Sequence, residues 1–306
     1  MLLNLNKAFL YIIVGASLWG TISWYVKHLY EYGFTPMEVV TLRAWTAAIL
    51  LVIYLLIKSP KKLKLQQTSD VKYFVRTGIF SIIFFNYCLF KTIEIATIPV
   101  ATALLYTAPA IVTIASVFLF KEELTRIKGT ALLATLIGTC LVVGIIPLNL
   151  EILKWSTLIF GIGSGIGYAL YSIISKFALV KYESLVITTY TFVVAAIALT
   201  PFFSFADRAH LLANPTVLFY AFGLGFLPTA FAYIIYTLGL QKTEASKASI
   251  LSTIEPVVAT LIGIIIFKEV FTFIQFIGMF IIIGAVILMQ WKGRSKQVSE
   301  KRIVNS

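Results

Sequence analysis

Long apolar segments, separated by short polar connections, recur along the whole chain. The first uncharged run covers residues 8–26, and further runs of similar length follow as far as residue 291. About 20 helical residues cross the hydrocarbon core of a bilayer, which is about 30 Å thick. The pattern therefore predicts ten membrane-spanning helices, over residues 8–26, 38–57, 72–92, 99–120, 128–147, 155–175, 184–205, 216–238, 248–267 and 272–291.

The length of these segments favours helices over a membrane β-barrel, whose strands are about ten residues long and alternate in polarity. Composition agrees, because hydrophobic residues make up 59% of the chain and charged residues only 12%. Soluble domains contain about 25% charged residues, so this chain cannot cover a globular surface with polar side chains. The first segment is too long for the apolar part of a secretory signal and is interpreted as a span. The predicted fold class is all-α integral membrane.

The net charge is +12, from 25 Lys and Arg against 13 Asp and Glu. The basic residues are scattered over many short connections, which argues against nucleic acid as a partner. With the N-terminus in the cytoplasm, 18 basic residues fall on the cytoplasmic side and 5 on the other. An excess of Lys and Arg in cytoplasmic loops is the general rule. The charges therefore predict a plasma-membrane protein with both termini in the cytoplasm.

The second half of the chain repeats the first at a shift of 147 residues. The matched positions share residue types, namely Leu104 with Leu251, Pro109 with Pro256, Phe120-Lys121-Glu122 with Phe267-Lys268-Glu269, and Thr125 with Thr272. Each repeat holds five spans, an odd number, so the second must be inverted relative to the first. Inverted repeats are typical of transporters, whose substrate site lies near the membrane midplane. The predicted division is 1–147, 148–292 and a basic cytoplasmic tail, 293–306.

Short motifs in both repeats resemble the EamA domain of the drug/metabolite transporter superfamily. They are Leu18-Trp19-Gly20, Thr35-Pro36 and Leu42-Arg43 in the first repeat, and the tracts Pro109 to Glu122 and Glu255 to Glu269 that end the two repeats. The resemblance covers about residues 8–291. It implies a ten-helix carrier with a central cavity lined mainly by spans 1, 3, 4, 6, 8 and 9. It implies no particular substrate, because the family includes exporters of amino acids and importers of nutrients such as choline.

Glu255 is the one acidic residue placed well inside a predicted span. An ionisable group in a membrane is costly and is a functional hypothesis by default. Pro256 cannot donate to the carbonyl of Ser252, so a kink with free backbone acceptors is expected near the carboxylate. Glu255 is a candidate counter-ion for a cationic group or protonation site for coupling, and a structural hydrogen-bonded role is the alternative. Its repeat equivalent is Ala108.

Aromatic and polar residues in mid-span positions are the other candidates for substrate binding. Together with Glu255 they are Trp19, Asn86, Tyr87, Tyr106, Tyr168, Tyr171, Tyr233 and Tyr236. Rings beside a carboxylate favour an organic cation through cation–π attraction, or an aromatic metabolite through stacking. Asn86 and Tyr233 are repeat equivalents, so both should face the central axis or neither should.

Arg43 and a glycine run receive structural interpretations. Arg43 lies about a turn into the second span, and a long Arg near a helix end usually extends to the interface as an anchor. The second repeat has no arginine at the matching position. Glycines at 161, 163, 165 and 167 lie inside an apolar span without the preceding strand of a nucleotide loop, so they predict close helix contacts.

The predicted function is a secondary carrier for a small organic metabolite. Efflux of an amino acid or related compound is preferred, and uptake of a cationic nutrient such as choline is the alternative, ahead of a passive channel. The sequence offers no catalytic constellation, metal-ligand spacing or cofactor motif, so an enzyme is not predicted. Coupling to protons, and the choice between a monomer and a homodimer, stay open.

Overall fold

The computed structural model describes residues 7–145, 154–270 and 272–304, and all regular elements in these ranges are helical. The ten predicted spans are confirmed as helices: α1 (Lys7–Glu31), α2 (Pro36–Lys58), α3 (Thr68–Ile95), α4 (Ile98–Phe120), α5 (Arg126–Val142), α6 (Trp155–Ala178), α7 (Ser184–Phe202), α8 (Pro215–Gln241), α9 (Ala245–Ile265) and α10 (Phe273–Val304). Within the described ranges, eight are at least 18 residues long and apolar enough to cross a bilayer.

The two remaining helices, α5 and α10, pack against each other at the side of the bundle. Helix α5 has 17 residues, and the apolar part of α10 is Phe273–Met289. Gly138 and Gly278 allow a close contact between the two helices, because a Cβ added to either would lie 3.0 Å or less from the other's carbonyl oxygen. Helix α10 continues to Val304, through the segment predicted as a tail.

The chain alternates between two faces of the bundle, and an ion pair joins the two repeats at each. The terminal face holds the start of α1 and the connections after α2, α4, α6 and α8. There Lys62 pairs with Glu183 at 2.7 Å. The opposite face holds the connections after α1, α3, α5, α7 and α9. There Arg208, in a short helix between α7 and α8, pairs with Glu38 at 2.9 Å.

Departures from regular α-helix recur at equivalent places in the two repeats. A π-helical stretch lies at Ile79–Phe84 in α3 and another at Phe226–Phe231 in α8, 147 residues apart. Helix α4 is interrupted by a turn at 106–107, and α9 by a turn at 252–253, which is within one residue of the same shift. Lys121 and Lys268 both adopt left-handed backbone conformations, with φ of 55° and 56°. The backbone therefore repeats at the same shift as the sequence, and π-helical turns are frequent at functional sites.

Alternate glycines let α6 approach two helices at once, as the glycine run predicted. A Cβ added to Gly161 would lie 2.2 Å from Leu104 in α4, and one added to Gly165 would lie 2.6 Å from the hydroxyl of Thr107. On the other side, a Cβ on Gly167 would lie 2.9 Å from the Cα of Phe85 in α3. These contacts hold α6 in the centre of the bundle.

The substitution Gly167→Ala tests this packing. The new Cβ would meet backbone atoms of α3, which cannot move as a side chain can, so we expect a loss of about 1–3 kcal/mol in stability. Gly129→Ala is the matched control, because nothing lies within 4 Å of its added Cβ. Thermal unfolding in detergent should show a lower midpoint for Gly167→Ala and an unchanged or higher one for Gly129→Ala. Equal midpoints for the two variants would contradict the packing.

Candidate functional site

A cavity of about 310 Å³ lies at the centre of the bundle, lined by α1, α2, α3, α4, α6, α8 and α9 and by Val143 beyond α5. The lining residues of five helices fall within 19–30, 39–43, 85–90, 102–106 and 255–260. In each case these residues run from the middle of the helix toward its end at the opposite face. On the terminal side of the cavity, Tyr236, Leu240 and Ile250 are buried. The cavity therefore extends from the midplane toward the opposite face.

Glu255 lies beside the interruption of α9, at the second residue of the helical segment Ile254–Ile265. The side chains of Ser252 and Thr253 donate to carbonyls one turn back, at 2.8 and 2.6 Å. The predicted break is present. The sequence predicted that the Ser252 carbonyl would be a free acceptor, and this is wrong. The carbonyl accepts from the backbone N–H of Glu255 at 3.0 Å. Pro256 falls within the first turn, where a missing N–H costs no helical hydrogen bond.

The carboxylate of Glu255 meets two tyrosines and faces the cavity. The hydroxyl of Tyr168 in α6 donates to Oε2 at 2.8 Å. The hydroxyl of Tyr106, at the interruption of α4, also interacts with this carboxylate. Glu255 is only partly buried and lines the cavity with both tyrosines. A carboxylate held by two hydroxyls and still open to the cavity can bind a cationic group.

Arg43 also lines the cavity, and its interpretation as an interfacial anchor is wrong. Its side chain is 6% exposed and lies within electrostatic range of Glu255 and Tyr233. The residue begins the third turn of α2 and points between the helices, so it does not extend along α2 to the interface. Its Nε has no hydrogen-bond partner. One feature of the sequence could have indicated that Arg43 lines the cavity, namely that the second repeat has no matching arginine.

Trp19 lies at the centre of an aromatic cluster that forms one wall of the cavity. Its ring centroid is 5.0 Å from that of Tyr233, 4.8 Å from Tyr236 and 5.9 Å from Tyr168. The indole Nε1 is buried and has no hydrogen-bond partner. A buried donor without a partner costs about 1–3 kcal/mol, and the Nε of Arg43 is a second buried donor of this kind beside the cavity.

The remaining predicted residues divide between the cavity, its support and the outer surface. Asn86 and its repeat equivalent Tyr233 both line the cavity. Tyr171 and Tyr236 lie behind the aromatic wall, where their hydroxyls bond Thr237 at 2.8 Å and Ser172 at 2.7 Å respectively. Tyr87 does not line the cavity. It is 51% exposed on the outer surface of α3, because adjacent helical residues point about 100° apart.

Removal of the Tyr168 hydroxyl tests the central hydrogen bond. Tyr168→Phe should lower the stability by about 1–3 kcal/mol, since a hydrogen bond to a carboxylate is among the stronger ones. Tyr87→Phe is the matched control and should change it by less than about 0.5 kcal/mol. Thermal unfolding of the purified protein measures both. If the bond is as described, the effect of Tyr168→Phe shrinks in a Glu255→Gln background, and additive effects of the two changes would contradict it.

Comparisons with known proteins agree with this architecture. The model of the EamA-like transporter family matches the chain twice, over residues 6–144 and 155–291. An uncharacterized transporter of Archaeoglobus fulgidus is 33% identical over 204 residues, which cover 65% of this chain and 69% of the relative. The uncharacterized inner membrane transporter YicL of Salmonella typhimurium is 24% identical over 95% of this chain and 97% of its own length.

The fold also has a solved counterpart. One crystal structure superposes with a TM-score of 0.73 at 18% identity, and covers 94% of this chain and 98% of the other. At this identity the likeness concerns the fold alone. The two family matches lie on the two halves of the bundle that enclose the cavity. This chain is therefore a multi-pass membrane protein that belongs to the EamA-like transporter family.

Proposed function

We propose that the chain is a secondary carrier for a small zwitterionic metabolite, an amino acid or a related compound. The observation that supports this substrate class most directly is the pair of opposite charges on one cavity. Glu255 offers a carboxylate from the second repeat and Arg43 a guanidinium from the first. A zwitterion presents the complementary pair, an ammonium group and a carboxylate.

The hydrogen-bonding state of the cavity supports the same substrate class. Glu255 is partly exposed to the cavity and can accept from an ammonium group. Arg43 lines the same cavity, and its guanidinium can attract a carboxylate. At about 310 Å³ the cavity is near the lower end of the range for small-molecule sites. That size suits a metabolite rather than a peptide or a lipid.

The architecture supports alternating access rather than a permanent pore. Two inverted repeats enclose a cavity that extends toward one face only, and the other half of the bundle is packed. Carriers of this type expose a midplane site alternately to the two sides as the repeats move. A carrier saturates and catalyses exchange of its substrate, whereas a channel conducts without exchange.

The proposed direction is export across the plasma membrane, with the terminal face in the cytoplasm. Export is proposed because the family that the sequence resembles includes exporters of amino acids. The orientation is proposed from the excess of basic residues on the terminal side. In this orientation the cavity faces the outside, as in a state that has just released its substrate.

Uptake of an organic cation such as a quaternary amine is the second candidate. The rings of Trp19, Tyr168 and Tyr233 stand next to Glu255, and such an arrangement binds ammonium groups by cation–π attraction. The guanidinium of Arg43 counts against it, because it would repel a ligand that has only positive charge. The two candidates therefore predict different roles for Arg43, which would bind the carboxylate of a zwitterion but would repel an organic cation.

A ligand screen by thermal shift separates these candidates. The panel holds zwitterionic amino acids, quaternary amines, organic anions and neutral vitamins, each tested on wild type, Glu255→Gln and Arg43→Gln. We expect zwitterions to stabilise the wild type, by about 2.7 kcal/mol at a hundred times Kd, and both variants to lose the response. Arg76→Gln, at an exposed arginine of α3, is the matched control and should keep it.

A response to quaternary amines alone, kept or increased in Arg43→Gln, would contradict the zwitterion proposal in favour of the cation. The hit is then tested in proteoliposomes loaded with unlabelled substrate. Uptake of labelled substrate against its gradient, driven by this exchange, is expected of a carrier. Flux that only follows the gradient would contradict alternating access.

A further inference from the structure

Glu122 joins the two repeats at the terminal face. It follows Lys121 at the end of α4, and its carboxylate accepts from the backbone N–H groups of Ala245 at 2.7 Å and Ser246 at 3.2 Å. The hydroxyl of Ser246 donates to the same carboxylate. Lys128, only 3% exposed, pairs with Glu122 at 3.6 Å. The end of α4 is therefore fastened to the start of α9 on the closed side of the cavity.

Glu269 is the repeat equivalent of Glu122, but it is free of this contact. Its backbone is the same, since the N–H of Glu269 bonds the Gly263 carbonyl at 3.1 Å as that of Glu122 bonds Ser116 at 3.2 Å. Its side chain is 60% exposed, pairs with Lys27 at 3.6 Å and lies back against Gly263. Among the described residues, no hydrogen bond joins it to the start of α4, which is the counterpart of the start of α9.

Two corresponding lysines show the same difference between the faces: one binds a neighbouring helix end at the terminal face, and the other does not at the opposite face. At the terminal face, Lys176 of α6 donates to the carbonyls of Leu240 and Thr243 at the end of α8. At the opposite face the corresponding lysine is Lys27 of α1, which aligns with Lys176 at a shift of 149 residues. It lies 3.7 Å from the ring centroid of Phe267 and, among the described residues, pairs with Glu269. Glu122 and Lys176 thus bind neighbouring helix ends at the closed face, whereas Glu269 and Lys27 make neither contact at the face toward which the cavity extends.

We infer that Glu122 and Glu269 are alternate latches of the transport cycle. Glu122 closes the terminal face in the state described above. When the repeats exchange conformations, Glu122 leaves α9, and Glu269 accepts from the start of α4 to close the opposite face. This inference rests on the proposed alternating access. It adds which side chains hold each closed state.

The two latches have unequal strength because their binding sites differ at one position. Ser246 supplies an N–H and a hydroxyl to Glu122. The residue 147 positions earlier is Pro99, which has neither donor. At the opposite face the N–H of Ile98 is the counterpart of the Ala245 donor, and it is the only one of these three donors that remains. The chain therefore rests with its terminal face closed.

Exchanging the residue types at positions 99 and 246 tests the inference. Pro99→Ser gives Glu269 the missing donors, and Ser246→Pro removes those of Glu122, so both should raise the population with the opposite face closed. We expect roughly a tenfold rise, the size given by one hydrogen bond to a charged group. Ser246→Ala removes the hydroxyl alone and should shift the population less, in the same direction.

Distances between spin labels at each face measure these populations by double electron–electron resonance. In a background without Cys88 and Cys140, the labels replace Glu123 and Gln241 at the terminal face, or their repeat equivalents Val270 and Glu94 at the opposite face. All four labelled positions are exposed. Pro99→Ser and Ser246→Pro should each lengthen the distance at the terminal face and shorten the distance at the opposite face.

Two controls decide the result. Glu269→Gln should abolish the effect of Pro99→Ser, because the added donors then meet no carboxylate. Glu31→Gln removes an equal charge from the opposite face outside the latch, because Glu31, among the described residues, pairs only with His28 of its own helix, and the effect of Pro99→Ser should persist in it. The latch is overturned if Pro99→Ser shifts nothing in a chain that populates two states, or if its shift survives Glu269→Gln. A single distance at each face in every variant would instead overturn alternating access itself.

Discussion

The hydrocarbon core of a membrane offers no hydrogen-bond partner to the peptide backbone, so each interruption of a helix must be satisfied from within the protein. Threonine hydroxyls do this at the interruptions of α4 and α9, and at a turn at Thr21 that interrupts α1. Thr21, Thr107 and Thr253 donate to carbonyls three residues back, at 2.7, 2.7 and 2.6 Å. In the π-helical stretch of α8, Thr229 reaches the carbonyl five residues back at 2.7 Å. These satisfied breaks surround the cavity, and they position Glu255 and Tyr106 on its wall.

The sequence predicted the ten spans and the inverted repeat because both depend on composition and spacing along one chain. Six of the nine candidate residues line the cavity for the same reason, since mid-span polar residues have few other roles in a membrane. Tyr87 was misplaced and Arg43 was misread because the direction of a side chain depends on which helices pack beside it. The π-helical stretches have no sequence signature, and they alter the helical phase between Gly78 and Asn86.

A symmetric fold here encloses an asymmetric site. Arg43 has no partner in the second repeat, and the equivalent of Glu255 is Ala108. The backbone conformation is duplicated even at Lys121 and Lys268, which are both left-handed. The two charged residues that face the cavity each occur in one repeat only. A duplicated frame lets the two halves exchange shapes, and single charges give a bound molecule one orientation. The proposed zwitterion would thus be held with its two ends on different repeats.

The paired π-helical stretches set a limit on how this chain can change in length. Each stretch holds one more residue per turn than an α-helix would, so the helix beyond it is turned by about 100°. Asn86 and Tyr233 face the cavity in this register. Loss of one residue from Ile79–Phe84 would restore a regular α-helix, yet it would turn Asn86 away from the cavity. The number of residues in this segment is therefore as constrained as their identity, although no motif marks it.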